Sequence, residues 1–386
     1  MVSIDISKFI DGYIDNSPNQ TIIHYWDLPN GIRVKLTNPP KELTVRGETF
    51  TIGKIKRVFG NSAEIEDKII SIVNWRNHKH EFSVKFPIHL TNEKYVLLYS
   101  LMLSEGSSHD EFRIHVPEEE FHAIFQDNLN SFFEHISINQ SIAKNIKVSK
   151  APECIRHLIP IPRYIPRFIL EEKEFARIYL RVAFEAEGHF RYKHLKNEAV
   201  NRRIKLSRNT GIDSLIAQPL SYNIGERIPF SQIEKDNTNL AKSILNNPCP
   251  IILGEAILLK KHFDIDVSLF PEYIRINKTS FRRGKTSVKW TMYLHSINID
   301  RFVNDIGAIT ERKKQLCELM GKVTLRRPNY NALKIMKQSA KNGIFSSREY
   351  SSEMLKVGYK FPEVFLSKYK KKNLIRKVDS QHYLLL

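Results

Sequence analysis

Hydrophobic and polar residues alternate with a period of two through the first quarter of the chain, which is typical of half-buried β-strands. In residues 1–90 this pattern predicts strands over 32–36, 49–55 and 81–86, separated by turn residues such as Pro, Asn and Gly. A helix is predicted over 62–74. These elements indicate a small α+β module.

The pattern then changes to apolar helical segments. Two nine-residue segments, 98–106 (LYSLMLSEG) and 180–188 (LRVAFEAEG), are mostly apolar and both end in Glu-Gly. Residues 112–116 predict a short strand after the first of them, and residues 118–133 repeat apolar positions every three to four residues, which predicts an amphipathic helix. The two Glu-Gly segments look like copies of one helix.

The second Glu-Gly segment is followed by a regular series of elements. Alternation predicts a hairpin over 189–207 and a second hairpin over 273–294. A helix is predicted between them, over 252–263. A closing helix over 299–307 follows, with another helix from residue 311. Residues 176–325 therefore predict the order helix, hairpin, helix, hairpin, helix.

The last 60 residues predict a unit of a different kind. Helices are expected over 333–342, 346–355 and 362–372, the second of them opened by a Ser346-x-x-Glu349 capping box. Two short strands over 374–378 and 382–385 would complete a winged helix-turn-helix. The alternative is a helical bundle whose terminal lysines only complement the helix dipole.

Charge narrows the possible partners. The chain has 386 residues, with 60 Lys plus Arg against 42 Asp plus Glu, and a formal charge of +18. An excess of this size favours a polyanionic partner, nucleic acid or an anionic membrane surface; a basic proteome is the alternative. No apolar run approaches the roughly 20 residues of a membrane span, and the N-terminal segment lacks the pattern of a signal peptide. We therefore expect a cytoplasmic, DNA-associated protein without membrane contact, whose three cysteines are unpaired thiols.

The predicted strands after residue 188 carry much of this charge. Residues 189–209 contain seven basic residues and one acidic residue, Glu198. In a strand, alternate side chains share a face, so Arg203 and Lys205 lie opposite Ile204 and Leu206. A basic face backed by an apolar one is a candidate nucleic-acid interface.

The paired Glu-Gly helices and the hairpins after them resemble the LAGLIDADG homing endonuclease family. The resemblance covers about 91–325, with repeats at 91–175 and 176–325, and it leaves 1–90 as an N-terminal module and 326–386 as a winged-helix domain. It implies an α+β fold with pseudo-twofold αββαββα repeats, and a monomer, because one chain carries both motifs. Each motif helix would deliver the carboxylate before its glycine, Glu105 and Glu187, to a shared magnesium site over double-stranded DNA.

The resemblance also implies further site residues. By its position after the motif, Arg208 would help to position water or stabilise charge, so the catalytic candidates are Glu105, Glu187 and Arg208. The residues expected to contact DNA are His189, Arg191, Lys193, Lys196, Arg202, Arg203, Lys205, Arg275, Lys278, Arg282, Arg283, Lys285, Lys289, Lys368, Lys370, Lys371 and Lys372.

Three functions remain open on these patterns. Retention of both carboxylates favours a metal-dependent, site-specific double-strand DNA endonuclease. Unequal repeats and the appended helix-turn-helix favour a DNA-binding transcriptional regulator on a degenerate LAGLIDADG scaffold, because only residues 107–111 separate Gly106 from the next strand and the first-repeat counterpart of Arg208 falls near Val116. A splicing cofactor of the maturase type, which binds RNA, also resembles the family.

Overall fold

A computed structural model shows two compact units, Met1–Lys322 and Val323–Leu386. Helices are combined with several antiparallel sheets, which confirms the predicted α+β class. The structure describes residues 3–43, 48–73, 81–107, 111–143, 145–194, 200–216, 223–277, 284–294, 296–322, 332–356, 362–371 and 373–386.

The first 90 residues build a four-stranded antiparallel sheet in the order β3-β2-β4-β5 and a two-stranded sheet, β1-β6. The helices are α1 Ile10–Asn16, α2 Ile52–Phe59 and α3 Ala63–Glu66, with short 3-10 turns at Ile6–Phe9, Tyr25–Asp27 and Lys41–Leu43. The strands are β1 Ile22–Ile23, β2 Arg33–Leu36, β3 Phe50–Thr51, β4 Ile69–Val73, β5 Glu81–Lys85 and β6 Ile88–His89.

Two predictions for this region are wrong. The strand expected over 49–55 stops at Thr51, because the Thr51 hydroxyl accepts a hydrogen bond from the Lys54 N–H (3.2 Å) and begins α2 instead. The helix expected over 62–74 ends after one turn, and β4 follows. The β-branched residues of β4 pair with both β2 and β5, and sheet pairing overrides the helical prediction.

Residues 93–171 form the first of two repeats. Its sheet has the order β7-β8-β10-β9. The helices are α4 Glu93–Glu105, α5 Glu119–Phe132, α6 Ile155–Leu158 and α7 Arg167–Glu171. The strands are β7 Gly106–Ser107, β8 Phe112–His115, β9 Asn139–Ala143 and β10 Ile146–Ala151.

Residues 173–322 form the second repeat, whose sheet has the order β11-β12-β15-β14-β13. The helices are α8 Lys173–Glu187, α9 Phe230–Asp236, α10 Thr238–Asn246, α11 Pro250–Phe263, α12 Ser296–Asp305 and α13 Glu311–Lys322, with a 3-10 turn at Asp213–Leu215. The strands are β11 His189–His194, β12 Val200–Gly211, β13 Arg227–Pro229, β14 Val267–Ile276 and β15 Thr286–Leu294. The predicted order of helices and hairpins is confirmed, with α9, α10 and β13 inserted before α11.

The two repeats share one sheet topology. In each, the strand after the long helix lies at an edge, and the four main strands follow in the order first, second, fourth, third. The repeats differ in length, since β7 has two residues where β11 has six. The repeats are therefore related in topology but unequal in the sheet surface that they present.

The long helices α4 and α8 pack against each other at the centre of the first unit. The buried Ser100 hydroxyl donates a hydrogen bond to the Tyr179 carbonyl (2.8 Å), and the Tyr99 and Tyr179 rings lie 5.8 Å apart. Small buried side chains such as Ser100 and Ala183 allow this close approach. The packing brings the ends of both helices to one place.

Both helices end in the same way, which explains the glycine in each motif. The Gly106 N–H and the Gly188 N–H donate to the carbonyls four residues earlier, of Met102 and Phe184, while the chain leaves in an extended conformation. A Cβ would lie 2.6 Å from the Met102 oxygen at position 106 and 2.1 Å from the Phe184 oxygen at position 188. Any other residue would clash with its own helix.

The second unit has the element order helix, strand, helix, helix, strand, strand, and its sheet has the order β16-β18-β17. The helices are α14 Ala332–Ser339, α15 Ser347–Lys356 and α16 Pro362–Lys371, and the strands are β16 Ile344–Ser346, β17 Ile375–Lys377 and β18 His382–Leu385. Its core is formed by Ile335, Met336, Phe345, Tyr350, Met354, Leu366 and Ile375.

Removal of residues 323–386 is expected to leave the first unit folded. The buried residues of the first unit form one continuous core, from Tyr13 to Met320, and those of the second unit form a core of their own. The measurement is thermal unfolding followed by circular dichroism. The residues 1–322 protein should keep one cooperative transition near that of the full chain, and loss of cooperativity would show that the tail supports the core.

Candidate functional site

Two carboxylates lie at the ends of the packed helices. Glu105 is the last residue of α4 and Glu187 the last residue of α8. The pKa of Glu105 is raised to about 7, first by burial and then by the negative charges of Glu187 and Glu118, while Arg208 and Lys313 oppose the shift. The Glu187 side chain is 40% exposed. The structure therefore brings the two predicted carboxylates within electrostatic reach of each other.

Arg208 lies beside this pair and connects three helices. Its Nη2 atom donates to the buried Glu255 carboxylate on α11 (2.5 Å) and to the Ser104 hydroxyl on α4 (3.0 Å), and its Nη1 atom lies 3.7 Å from Glu187 on α8. The Tyr179 hydroxyl also donates to Glu255 (3.3 Å). Burial raises the pKa of Glu255, and the Arg208 charge opposes that rise. The positive charge of Arg208 is therefore paired mainly with the buried Glu255 carboxylate.

Lys313 fixes the end of α8, and no sequence pattern predicted this role. Its Nζ atom donates to the carbonyls of Phe184 (3.2 Å), Gly188 (3.0 Å) and Glu185. The last carbonyls of a helix have no partner within the helix, so an ammonium there satisfies them and complements the helix dipole. The Glu185 carboxylate accepts from the Ile309 N–H (2.7 Å), which ties α8 to the segment before α13. These contacts hold the backbone on both sides of Glu187.

Replacing Arg208 with Met is expected to destabilise the first unit by about 3–5 kcal/mol, because the buried Glu255 would lose its partner. Urea unfolding followed by fluorescence measures the change. A second variant that also replaces Glu255 with Leu should recover much of the loss. Arg191→Met, at an exposed position of β11, is the control and should change the stability by less than about 1 kcal/mol. Equal effects of Arg208→Met and Arg191→Met would contradict the assignment.

The second sheet has a basic outer face. Ile204 and Leu206 are fully buried, while Arg203 and Lys205 lie on the opposite face, as the alternation predicts. The prediction that Arg202 contacts DNA is wrong. Arg202 shares the inner face with Ile204, its side chain is 1% exposed, and it is bound to Asp300 and to the Met320 carbonyl (2.5 Å). Arg202 is therefore part of the interior and is removed from the expected DNA contacts.

Two tyrosines and one carboxylate lie among the cations of this face. The Arg203 guanidinium lies 3.6 Å from the centre of the Tyr293 ring, and the Lys289 ammonium lies 5.4 Å from that of Tyr273. Glu272 accepts from Lys205 (3.0 Å) and lies 3.4 Å from the Lys289 ammonium. Its pKa is lowered: burial acts against the shift, but hydrogen bonds from Thr291 and Lys205 outweigh it. No sequence pattern predicted these three residues.

The remaining predicted contacts are distributed unevenly. His189, Arg191 and Lys285 are exposed, Arg275 is partly buried, and Lys193 lies in β11. Lys368, Lys370 and Lys371 are exposed at the end of α16. Lys196, Lys278, Arg282, Arg283 and Lys372 lie outside the described residues.

Two cations of the first sheet share one carboxylate. Arg113 and Lys150 both pair with Glu111, at 2.7 and 2.5 Å.

The carboxylate pair suits a hard divalent cation. Within the described ranges, no group of three or more His, Cys, Asp or Glu side chains could hold a metal ion. Magnesium, however, is commonly held by one or two carboxylates, with water and substrate phosphate completing its coordination. Glu105 and Glu187 match that donor set, and a cation would relieve the repulsion that contributes to the raised pKa of Glu105.

No helix in the described part of the chain is long and apolar enough to cross a membrane.

The chain shows only weak similarity to known proteins in sequence and in structure. No protein-family model matches the chain, and no curated protein matches it. Among solved structures, full-length DUF199/WhiA from Thermatoga maritima is 9% identical with a TM-score of 0.32, over 61% of this chain and 62% of that one. I-DmoI in complex with DNA and Ca is 11% identical with a TM-score of 0.30, over 59% and 98%. I-DmoI in complex with DNA and Mn is 11% identical with a TM-score of 0.29, over 57% and 99%. At these TM-scores the likeness assigns no family.

Proposed function

We propose that the first unit binds double-stranded DNA on the outer face of its second sheet, and that Glu105 and Glu187 hold a divalent cation for phosphodiester hydrolysis. The observation that carries the proposal is the convergence of two carboxylates at the ends of two packed helices, beside a basic sheet face. The protein would be a LAGLIDADG-type, site-specific endonuclease acting as a monomer.

Different residues of the first unit would contact DNA, hold the cation and position the two carboxylates. Arg203, Lys205 and Lys289 would contact phosphates and base edges, with Tyr273 and Tyr293 supporting their side chains. Glu105 and Glu187 would hold the cation, which supplies charge stabilisation at the scissile phosphate and a lowered pKa for water. Arg208 and Lys313 are positioning residues, because their hydrogen bonds fix the ends of α4 and α8.

The second unit supports DNA binding in a different way. We propose that this unit is a winged helix, a fold that its element order and three-stranded sheet suit and in which the third helix enters the major groove. That helix is α16, and its exposed Lys368, Lys370 and Lys371 would contact the phosphate backbone. We propose that this unit adds affinity and extends the DNA site.

A specific observation favours a second candidate, a DNA-binding regulator without cleavage. The β7 strand has two residues, and the nearby Arg113 and Lys150 share the single Glu111 carboxylate, which cancels one of their two positive charges. Half of the expected DNA face is therefore short and weakly basic. Arg208, the predicted charge-stabilising residue, is committed to Glu255.

The deciding experiment incubates the full chain with a randomised duplex library, with Mg²⁺ in one arm and EDTA in the other. Sequencing of the retained duplexes scores binding, and ligation of adaptors to newly made ends scores cleavage. Enrichment with cleavage only in Mg²⁺ supports the endonuclease. Enrichment without cut ends in either arm favours the regulator, and absence of enrichment in both arms would overturn DNA binding itself.

A further inference from the structure

A polar cavity of about 570 Å³ lies at one end of the second sheet, outside the carboxylate pair. It is bounded by the end of β12, the end of β14, the start of β15 and the first residues of α11. Three cationic side chains line it: Arg163, from the segment before α7, Arg275 and Lys285. The volume is in the range of cavities that hold small ligands.

The charges of this cavity are not balanced from within. Among the described residues of the lining, Asp213 is the one carboxylate, and its Oδ1 atom already accepts from the Thr286 N–H (2.7 Å). Arg275, Arg163 and Lys285 form no ion pair with any residue that the structure describes. The Nε atom of Arg275 is buried and has no hydrogen-bond partner among those residues. No other N–H group of the Arg275 guanidinium donates to a described residue either, so this guanidinium has donors left for an anion in the cavity.

Two further features of the lining favour an anion. Cys249, Pro250 and Ile251 line the cavity, so the N-terminus of α11, a helix of 14 residues, faces it. The helix dipole places partial positive charge there. Asn209 adds a neutral side chain that can donate hydrogen bonds, whereas Asn277 and Ser287 already donate to the carbonyls of Lys285 (2.8 Å) and Arg275 (3.5 Å). Cations, a helix N-terminus and a neutral donor together form a typical oxyanion site.

We propose that this cavity binds a phosphate group at a site separate from Glu105 and Glu187. The phosphate belongs either to a free phosphorylated ligand or to the backbone of bound DNA. The first source fits the volume, which leaves room beside Tyr273 for more than one phosphate. The second rests on the proposed function: Asn209, Arg275 and Ser287 continue the outer sheet face that carries Lys205 and Lys289, so DNA on that face would run toward the cavity.

The first test uses inorganic phosphate and the full chain, by isothermal titration calorimetry at constant ionic strength with chloride as the competing anion. We expect one phosphate site in the wild type and an affinity at least about tenfold lower in Arg275→Gln and in Lys285→Gln, since each removes a charged hydrogen bond. Lys261→Gln is the matched control, because it removes the same charge at the opposite end of α11. Phosphate binding that is equal in all four proteins rules out a site for a free phosphorylated ligand.

The second test separates the two sources and does not depend on the first. Duplex binding is followed by fluorescence anisotropy at several salt concentrations. If the phosphate is that of DNA, Arg275→Gln and Lys285→Gln should each lower the salt slope by about one, while Lys261→Gln does not. If the cavity variants weaken phosphate binding but leave the salt slope of DNA binding unchanged, the phosphate belongs to a free ligand. This conclusion does not require that the chain binds DNA. If neither measurement distinguishes the cavity variants from Lys261→Gln, no phosphate site exists there.

Discussion

Replacement of Glu187 or Glu105 with Gln is expected to reduce Mg²⁺-dependent DNA cleavage by roughly 100-fold or more. Each change removes one ligand charge while keeping the shape of the side chain. A coordinated cation contributes several kcal/mol of charge stabilisation, and 1.36 kcal/mol corresponds to a factor of ten in rate, so loss of one ligand affects the rate by orders of magnitude. The measurement is single-turnover cleavage of an enriched duplex.

Binding and a matched variant control this experiment. In EDTA, DNA affinity should stay the same or increase in both variants, because a negative charge near the phosphates has been removed. Glu118→Gln removes a charge that also acts on Glu105 but does not lie at the end of a motif helix, so its cleavage rate should change by no more than a few-fold. Cleavage that is unchanged in Glu187→Gln, or absent from the wild type on every duplex, would favour the regulator.

The pH dependence of cleavage follows from the raised pKa of Glu105. A carboxylate binds a cation in its ionised form, so protons and metal compete for Glu105. With a pKa of about 7, Glu105 is mostly protonated below pH 7 and ionised above it. At limiting Mg²⁺, cleavage should therefore rise with pH through about 7, and saturating Mg²⁺ should move the rise to lower pH.

The second repeat could be predicted from sequence because its strands have one buried face. Ile204 and Leu206 alternate with Arg203 and Lys205, and this period is visible without any knowledge of the partners. The hairpin β9–β10 of the first repeat was not predicted. All five residues of β9 are exposed, so burial imposes no alternation on its sequence. An edge strand of this kind is recognisable only after its neighbour is known.

The ends of the motif helices could be predicted, but the contacts that hold them could not. Glu105 and Glu187 are identified by the glycines after them, which the local backbone requires. The pairing of Arg208 with Glu255 joins residues 47 apart in sequence, and that of Lys313 with Gly188 joins residues 125 apart. Arg202 shows the same limit: its charge suggested a DNA contact, but strand alternation directs it inward to Asp300. Residue type alone does not distinguish a buried cation from an exposed one.

DNA affinity of the full chain is expected to fall by roughly 10³–10⁵ between 50 and 200 mM salt, the range for six to ten phosphate contacts. Phosphate contacts release condensed counterions, and the release becomes less favourable as salt rises. Arg191, Arg203, Lys205 and Lys289 on the sheet, with the lysines of α16, could supply that number. The measurement is fluorescence anisotropy with a labelled duplex at a series of salt concentrations.

Charge-removing variants determine which cations account for the slope. Replacing both Arg203 and Lys289 with Gln should lower the slope of log affinity against log salt by about two, since each phosphate contact contributes about 0.9. Removal of residues 323–386 should lower it further, because α16 carries three exposed lysines. The control is the pair Lys242→Gln and Lys261→Gln, which removes two exposed charges from α10 and α11 and should leave the slope unchanged. A flat salt dependence of the full chain would rule out phosphate contacts, and with them the DNA-binding function.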